Sequence, residues 1–507
     1  MDREETEKCT WSPNADPETS PHPKHEWQRT SKTCPDILAA VGHTPLIRLN
    51  KIPEMMGVQC EMYVKCEFMN PFGTDKDRFG KRAFQEAEKN GTIPPGATLI
   101  IPNAGSAAIP LATLGSIKGH PVKVVAKEDL LPCREIMLNM LGADVIKVPL
   151  EVNPGSHNGV FGLCKRLSKE ITPSVVLNPH EHRDNPLSHY DTTAEEILDA
   201  LDGQVDMLVV CSRSGGLLTG IGRKLKERCP DVTIIAIDQT KTDETPGMNL
   251  KTNKDTDSLN YSDDINFERL ANPSVADQTI VDKWMKRDKK EGFQMARKLL
   301  REEGIFCGVY SGLAVQVASE EAKTLDEDQH CVIVLLDCVT TYLDYFPNDY
   351  WMEAKGFSPC NNPANYWWWD VNVSELKLNP LRNIEDTFTC HDAIHMMQKY
   401  SVHQLPVVDK YGNLKGIATL SNILRNILAG KIHSQDSVKR VCYGDFSGIE
   451  EGYSATLGLI LRTLQIQPYA VVFTITNGEY GIVMKPLHII TPRDILIYIK
   501  SHKIDPM

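Results

Sequence analysis

The chain has no apolar run approaching the roughly 20 residues that span a bilayer. Its polar start, Met1-Asp2-Arg3-Glu4-Glu5, lacks the apolar core of a secretory signal. Both absences predict no membrane span and a cytoplasmic protein. Basic charge is not in excess either: 55 Lys and Arg stand against 67 Asp and Glu, a net charge of −12. Phosphate backbones and anionic lipid would be repelled, so nucleic acid is not expected as a partner. The 14 cysteines contain no C-x-x-C pair. That pattern argues against a structural zinc site or disulfide framework and for reduced thiols, most of them small core residues. Against these absences stands an apolar content of 41% in 507 residues, too much chain for one core and enough for two to four domains.

Residues 1–34 are rich in Pro, Thr, Ser, Glu and His without apolar periodicity, the composition of a disordered tail. They nevertheless carry Cys9 and His22, a thiol and an imidazole of the two types that ligate haem iron, although such a pair in a tail is most often coincidence. Residues 35–356 alternate short apolar runs with helical stretches. The runs include Ala97–Ile101, Val122–Val125, Asp144–Ile146, Asp206–Val210, Thr233–Ile237 and Cys331–Leu336. Continuous apolar strands divided by helices predict an α/β domain with a mainly parallel sheet covered on both faces. Within it, Asn70-Pro71-Phe72-Gly73-Thr74-Asp75-Lys76-Asp77-Arg78 joins a strand, Glu61–Cys66, to a helix over Phe79–Lys89. Lys76 is thereby placed at a helix start, where burial and the dipole lower an amine's pKa and favour Schiff-base formation. A solvated surface lysine is the plainer reading of the same residues.

Residues 357–371 hold Pro359, Pro363 and Trp367-Trp368-Trp369, a linker whose tryptophans pin it to a domain surface. Residues 372–507 contain a duplication. Thr389–Leu428 reads helix, strand, turn, strand, helix, and Tyr453–Lys500 repeats it, which predicts a paired α+β module. The last helix of each half opens on a hydroxyl with a polar residue three places on, Thr419 with Asn422 and Thr491 with Asp494. This is the spacing of a capping arrangement, and also of a ligand contact.

At this point an ordered series of segments resembles the cystathionine β-synthase family: GHTPLIRLNKI (42–52), KCEFMNPFGTDKDR (65–78), NPLSHYDTTAEEIL (185–198), TGIGRKLKERCP (219–230), VDKWMK (281–286), EEGIFCG (302–308) and HQLPVVD (403–409). The resemblance runs from Cys9 to Lys500. It implies a fold type II, tryptophan synthase β-like catalytic domain for pyridoxal phosphate (PLP), preceded by a haem segment and followed by tandem CBS motifs. The family's Schiff-base lysine falls on Lys76. Its substrate and cofactor loop becomes Asn103-Ala104-Gly105-Ser106-Ala107-Ala108, with Ser106 in place of the asparagine that bonds the cofactor ring. Its glycine-rich phosphate loop becomes Arg213-Ser214-Gly215-Gly216-Leu217, in which Arg213 either clamps the phosphate or fills its space. Tyr310 takes the place of the serine facing the pyridine nitrogen, and Pro179-His180 that of a glutamine-tyrosine pair. A family segment has no clear counterpart over Tyr261–Arg269, and Asp75 adds an acid beside the lysine that would keep its amine protonated.

By the same resemblance Cys9 and His22, with His25 competing, are the haem ligands and Arg223 is the cation beside the thiolate. Gln404, Thr491 and Asp494 fall on an effector site for S-adenosylmethionine or another adenosyl ligand. The implied activity is that of a lyase of transsulfuration and cysteine biosynthesis, joining serine and homocysteine into cystathionine or releasing hydrogen sulfide. Small amino acids are its substrates and a homodimer or larger homo-oligomer its assembly. The substitutions around Lys76 point to a second reading: a catalytically silent haem-binding homologue that acts as a sensor or as the partner of an active paralogue. Altered choice among β-substituted amino acids is a third.

Overall fold

The computed structural model describes residues 33–238 except 128–129, 149–151 and 154, and residues 275–502 except 344, 379–380, 429, 431, 443–447, 451–454 and 479–480. The chain divides into two units, residues 1–40 and 41–507. The described part of the first is a turn in which Asp36 Oδ1 accepts the Ala39 N–H at 2.9 Å. Cys9, His22, His25 and the stretch 261–269 lie outside the described residues.

The second unit begins with strands β1 (Leu46–Arg48), β2 (Glu61–Cys66), β3 (Thr98–Pro102), β4 (Val122–Lys127), β5 (Asp144–Val148), β6 (Ser174–Val176), β7 (Met207–Cys211), β8 (Thr233–Asp238), β9 (Lys283–Lys286) and β10 (His330–Leu335). The expected parallel sheet is realised as two, in the orders β1-β2-β10-β7-β8-β9 and β5-β4-β3-β6. Among the described strand pairings of these two sheets only β1–β2 is antiparallel. The strand composition explains this. All of β3 and all of β7 are buried, as unbroken apolar strands must be when helices cover both faces. The helix after β2, Lys76–Asn90, stops at Gly91, whose φ of 65° is the left-handed cap that glycine adopts without strain.

The duplicated segment forms two small sheets of one design. In the first, β11 (Ile384–Glu385) runs parallel to β12 (Gln404–Val408), which runs antiparallel to β13 (Leu414–Thr419). In the second, β14 (Gly448–Glu450), β15 (Ala470–Gly478) and β16 (Gly481–Ile490) repeat that order. Leu414 and Ile417 of one sheet pack on Val471, Phe473 and Met484 of the other. Trp368 and Trp369 are buried with Leu457, Ile460 and Ile490, whereas Trp367 is exposed. One buried arginine joins this module to the helix Asp349–Ala354 that precedes it. Arg462 bonds Glu353, and its guanidinium lies 4.8 Å from the Tyr350 ring centroid and 4.9 Å from that of Trp369. Among the described residues no helix is long and apolar enough to cross a membrane, and no cluster of His, Cys, Asp and Glu is arranged to hold a metal.

Candidate functional site

A parallel sheet gathers its loops at the carboxyl ends of its strands, where ligands bind. Here the chain leaving β3 turns through Asn103 and Ser106, the chain leaving β7 turns through Arg213 and Ser214, and the helix after β2 opens at Lys76. These residues and His180 line one cleft. Asn103 takes a left-handed φ of 71°, which its short polar side chain tolerates. Tyr310, near the start of the Val309–Glu321 helix, is 1% exposed and lies under the Arg213 guanidinium, 5.1 Å from ring centroid to carbon.

Lys76 is buried, and its ammonium is held by the neighbouring carboxylate, Nζ to Asp75 Oδ2 at 2.5 Å. Burial pushes Asp75 up, yet Lys76, His189 and Arg213 together hold it below the usual carboxylate range. His189 Nε2 approaches the same oxygen at 3.8 Å, and its Nδ1 meets Thr193 Oγ1 at 2.9 Å. Burial first, then the charge of Lys76, pushes His189 down to about 3. Burial, Lys76 and Arg213 push His180 to about 4, so both rings are neutral at pH 7. Asp77 goes the other way: burial raises it to about 8, helped by the charges of Asp75 and Glu67. At neutral pH Asp75 is therefore the carboxylate that answers Lys76.

Behind the helix start, Arg78 spans two acids, the buried Glu67 and the partly exposed Glu196. It reaches Glu67 at 2.7 and 2.8 Å and Glu196 at 2.6 and 2.7 Å. Lys65 completes the group, 2.6 Å from Glu196 and 2.7 Å from Thr44 O. A network in which each charge is answered can be held away from water, whereas removing one member leaves another uncompensated. This lattice fixes the direction of the Lys76 helix.

The family description "Pyridoxal-phosphate dependent enzyme" matches residues 37–337, and "CBS domain" matches residues 373–429. Cystathionine beta-synthase of Oryctolagus cuniculus is 37% identical over 503 residues, 97% of this chain and 90% of that protein. The chain belongs to the cystathionine β-synthase family. The enzyme of the same name from Apis mellifera is 36% identical over 92% of this chain and 91% of its own, and that of Saccharomyces cerevisiae 30% identical over 94% and 99%. Among solved structures, a hydrogen sulfide-producing enzyme from Fusobacterium nucleatum superposes with a TM-score of 0.52 at 26% identity, over 61% of this chain and all of that one. O-ureido-L-serine synthase does so at 0.53 and 25%, over 62% and 94%.

The family match supports pyridoxal phosphate as the group such a cleft takes, and several residues lining it depart from the family pattern. The cleft encloses about 20 Å³, on the order of one water. Arg213, larger than its counterpart in the family pattern, lines the cleft, and Tyr310, larger than its own, lies against the Arg213 guanidinium. The glycines of the phosphate loop remain, and neither position has room for a side chain. A Cβ on Gly215, whose φ is +80°, would lie 2.4 Å from Ala276 Cβ, and one on Gly216 would lie 2.4 Å from the Asn185 carboxamide. Ser214 Oγ already accepts from Asn185 Nδ2 at 3.1 Å.

The structure thus gathers Lys76, Ser106 and Ser214 around one cleft, with Gly215 and Gly216 in the loop behind Ser214 and Tyr310 below. The other expected positions lie elsewhere. Arg223 is exposed and paired with Asp277, 2.7 Å from its Nη2. Gln404 begins β12 opposite Thr419. Thr491 donates through its N–H at 2.8 Å and its hydroxyl at 2.6 Å to Asp494 Oδ2, so this pair serves as a helix cap. The first half has its own cap, Thr389 with Asp392, at 3.0 and 2.6 Å.

Sequence reasoning missed Asp337, which organises the floor of the site. Its carboxylate accepts from Ser311 N–H at 2.9 Å, Ser311 Oγ at 2.5 Å and Tyr342 Oη at 2.7 Å. It missed His189 too, on a five-residue π-turn, His189–Thr193. The only signal for His189 was its place inside the matching NPLSHYDTTAEEIL segment.

Proposed function

We propose that this chain is a catalytically silent member of the cystathionine β-synthase family, acting as a sensor or as the partner of an active relative. One observation carries the reading: the lysine that would hold the cofactor is bound to Asp75 in a cleft with space for about one water. Its working parts are then the paired C-terminal module and the segment holding Cys9 and His22, the latter as ligands of haem. The module's strands and caps support a folded regulatory unit, whatever adenosyl ligand it takes. The test is spectroscopic. Purified protein mixed with pyridoxal phosphate should develop no absorbance band that depends on Lys76, and should form no cystathionine from serine and homocysteine. A cofactor band abolished by Lys76→Ala would sink the proposal. A haem absorbance lost on Cys9→Ala supports the sensor role.

A second reading, a β-replacement lyase that makes cystathionine or releases hydrogen sulfide, is favoured by Lys76 itself. It stays at the helix start, facing the cleft beside Ser106 and His180, where the base of such a reaction belongs. Turnover with serine and homocysteine would establish it.

A further inference from the structure

Two short segments meet at Cys307 and Cys338. Val339 N donates to Phe306 O at 3.1 Å, and Gly308 N donates to Asp337 O at 2.7 Å. Those bonds flank the two cysteines and leave them directly opposite each other as an isolated antiparallel bridge. It is the non-hydrogen-bonded kind of pair, in which the Cα atoms lie about 4.5 Å apart and the side chains leave the same face. That spacing falls within the roughly 4.4–6.8 Å that a disulfide bridges. Both thiols are free, Cys307 buried and Cys338 partly exposed.

We infer that Cys307 and Cys338 form a dithiol–disulfide couple that low-molecular-weight disulfides oxidise. The accessible Cys338 thiolate attacks one sulfur of the small disulfide, whose S–S bond breaks and releases one thiol. Cys307 then gives up its proton to solvent and attacks the Cys338 sulfur, expelling the second thiol as the protein S–S bond forms. Two protein thiols are oxidised and one small disulfide is reduced to two thiols. The order follows from the surroundings. Burial, then the charge of Asp337, pushes the Cys307 thiol well above its usual range, so it is the poorer first nucleophile and acts second.

The bond would sit against the candidate site. Cys338 follows Asp337, whose carboxylate holds Ser311 and Tyr342, and Cys307 lies three places before Tyr310. Gly308 is so close to that carboxylate that a Cβ there would lie 2.3 Å from Asp337 Oδ2. Joining the two segments ties the start of the Tyr310 helix covalently to the chain leaving β10.

The test is mass mapping of the full chain after incubation with glutathione disulfide, alkylation of remaining thiols and digestion without reductant. Peptides carrying Cys307 and Cys338 should appear linked, in a yield that rises with oxidant and vanishes on reduction. Cys338→Ser should abolish the link. Cys307→Ser should leave glutathione attached to Cys338, with far-UV circular dichroism showing both variants folded. Recovery of both cysteines separately alkylated from the unmutated chain would overturn the inference. A link from Cys307 to Cys66 would overturn it as well, and unmodified Cys338 in Cys307→Ser would overturn the order of attack.

Discussion

Replacing Asp77 by asparagine tests the charge balance around Lys76 with almost no change of shape. Asp77 is fully buried; one oxygen accepts the Phe72 N–H at 2.6 Å, and Oδ1 has no hydrogen-bond partner among the described residues. Burial, then the charges of Asp75 and Glu67, outweigh the Phe72 and Thr74 N–H groups and raise the carboxyl to about 8. In the unfolded chain it titrates near pH 3.9. Between those values the folded chain binds more protons than the unfolded one, so stability falls as pH rises through the window and levels off above about pH 8. From pH 5 to pH 9 the interval covers about three pKa units, or about 4 kcal/mol. Relaxation and water entry around a real carboxylate reduce that to about 2–4 kcal/mol. Asparagine keeps the Phe72 bond through its carbonyl and carries no charge. The stability of Asp77→Asn relative to the unmutated chain should therefore improve by that amount between pH 5 and pH 9. Urea denaturation of both proteins at the two pH values, followed by circular dichroism, measures it. A difference between the proteins that is the same at both pH values would refute the reasoning, because every other titrating group is common to the pair.

Truncating Arg213, which lines the cleft, and Tyr310, against which it lies, with Arg213→Gly and Tyr310→Ser together, should let pyridoxal phosphate produce a Lys76-dependent absorbance band that the unmutated chain lacks. Loss of the buried tyrosine ring should lower stability by about 3–5 kcal/mol. Glu196 is pushed up by burial but held down to about 2 by Arg78 and Lys65. Its contribution is thus full above about pH 4.3 and lost as pH falls through about 2. Allowing for partial exposure, Glu196→Gln should cost about 2 kcal/mol at pH 7 in urea titrations, a cost that shrinks in acid. Gly458→Ala would place its Cβ 2.3 Å from the Trp369 ring and should destabilise the C-terminal module by about 1–3 kcal/mol in thermal unfolding. Arg462→Ala leaves Glu353 without its partner and two rings without their cation, and should cost about 2–4 kcal/mol. Calorimetry should then resolve two transitions at more widely separated temperatures.

The sequence by itself determined the strands, the helix that starts at Lys76 and the duplicated C-terminal unit. Each is written in local patterns: unbroken apolar runs such as Val122–Val125, which only a strand covered on both faces can bury, glycine at a left-handed helix stop, and a hydroxyl three residues before an acid. Tertiary structure alone decided that the strands divide into two sheets, with β10 between β2 and β7. It decided also that Asp77 is neutral beside an ionised Asp75, and that Cys307 faces Cys338. Periodicity reports which face of an element is buried, because burial repeats with the element's own geometry. Volume and charge are different. Whether Arg213 leaves room in the cleft depends on Tyr310, and the protonation of Asp77 depends on Asp75 and Glu67, so both are sums over atoms that only the folded chain brings within a few ångströms.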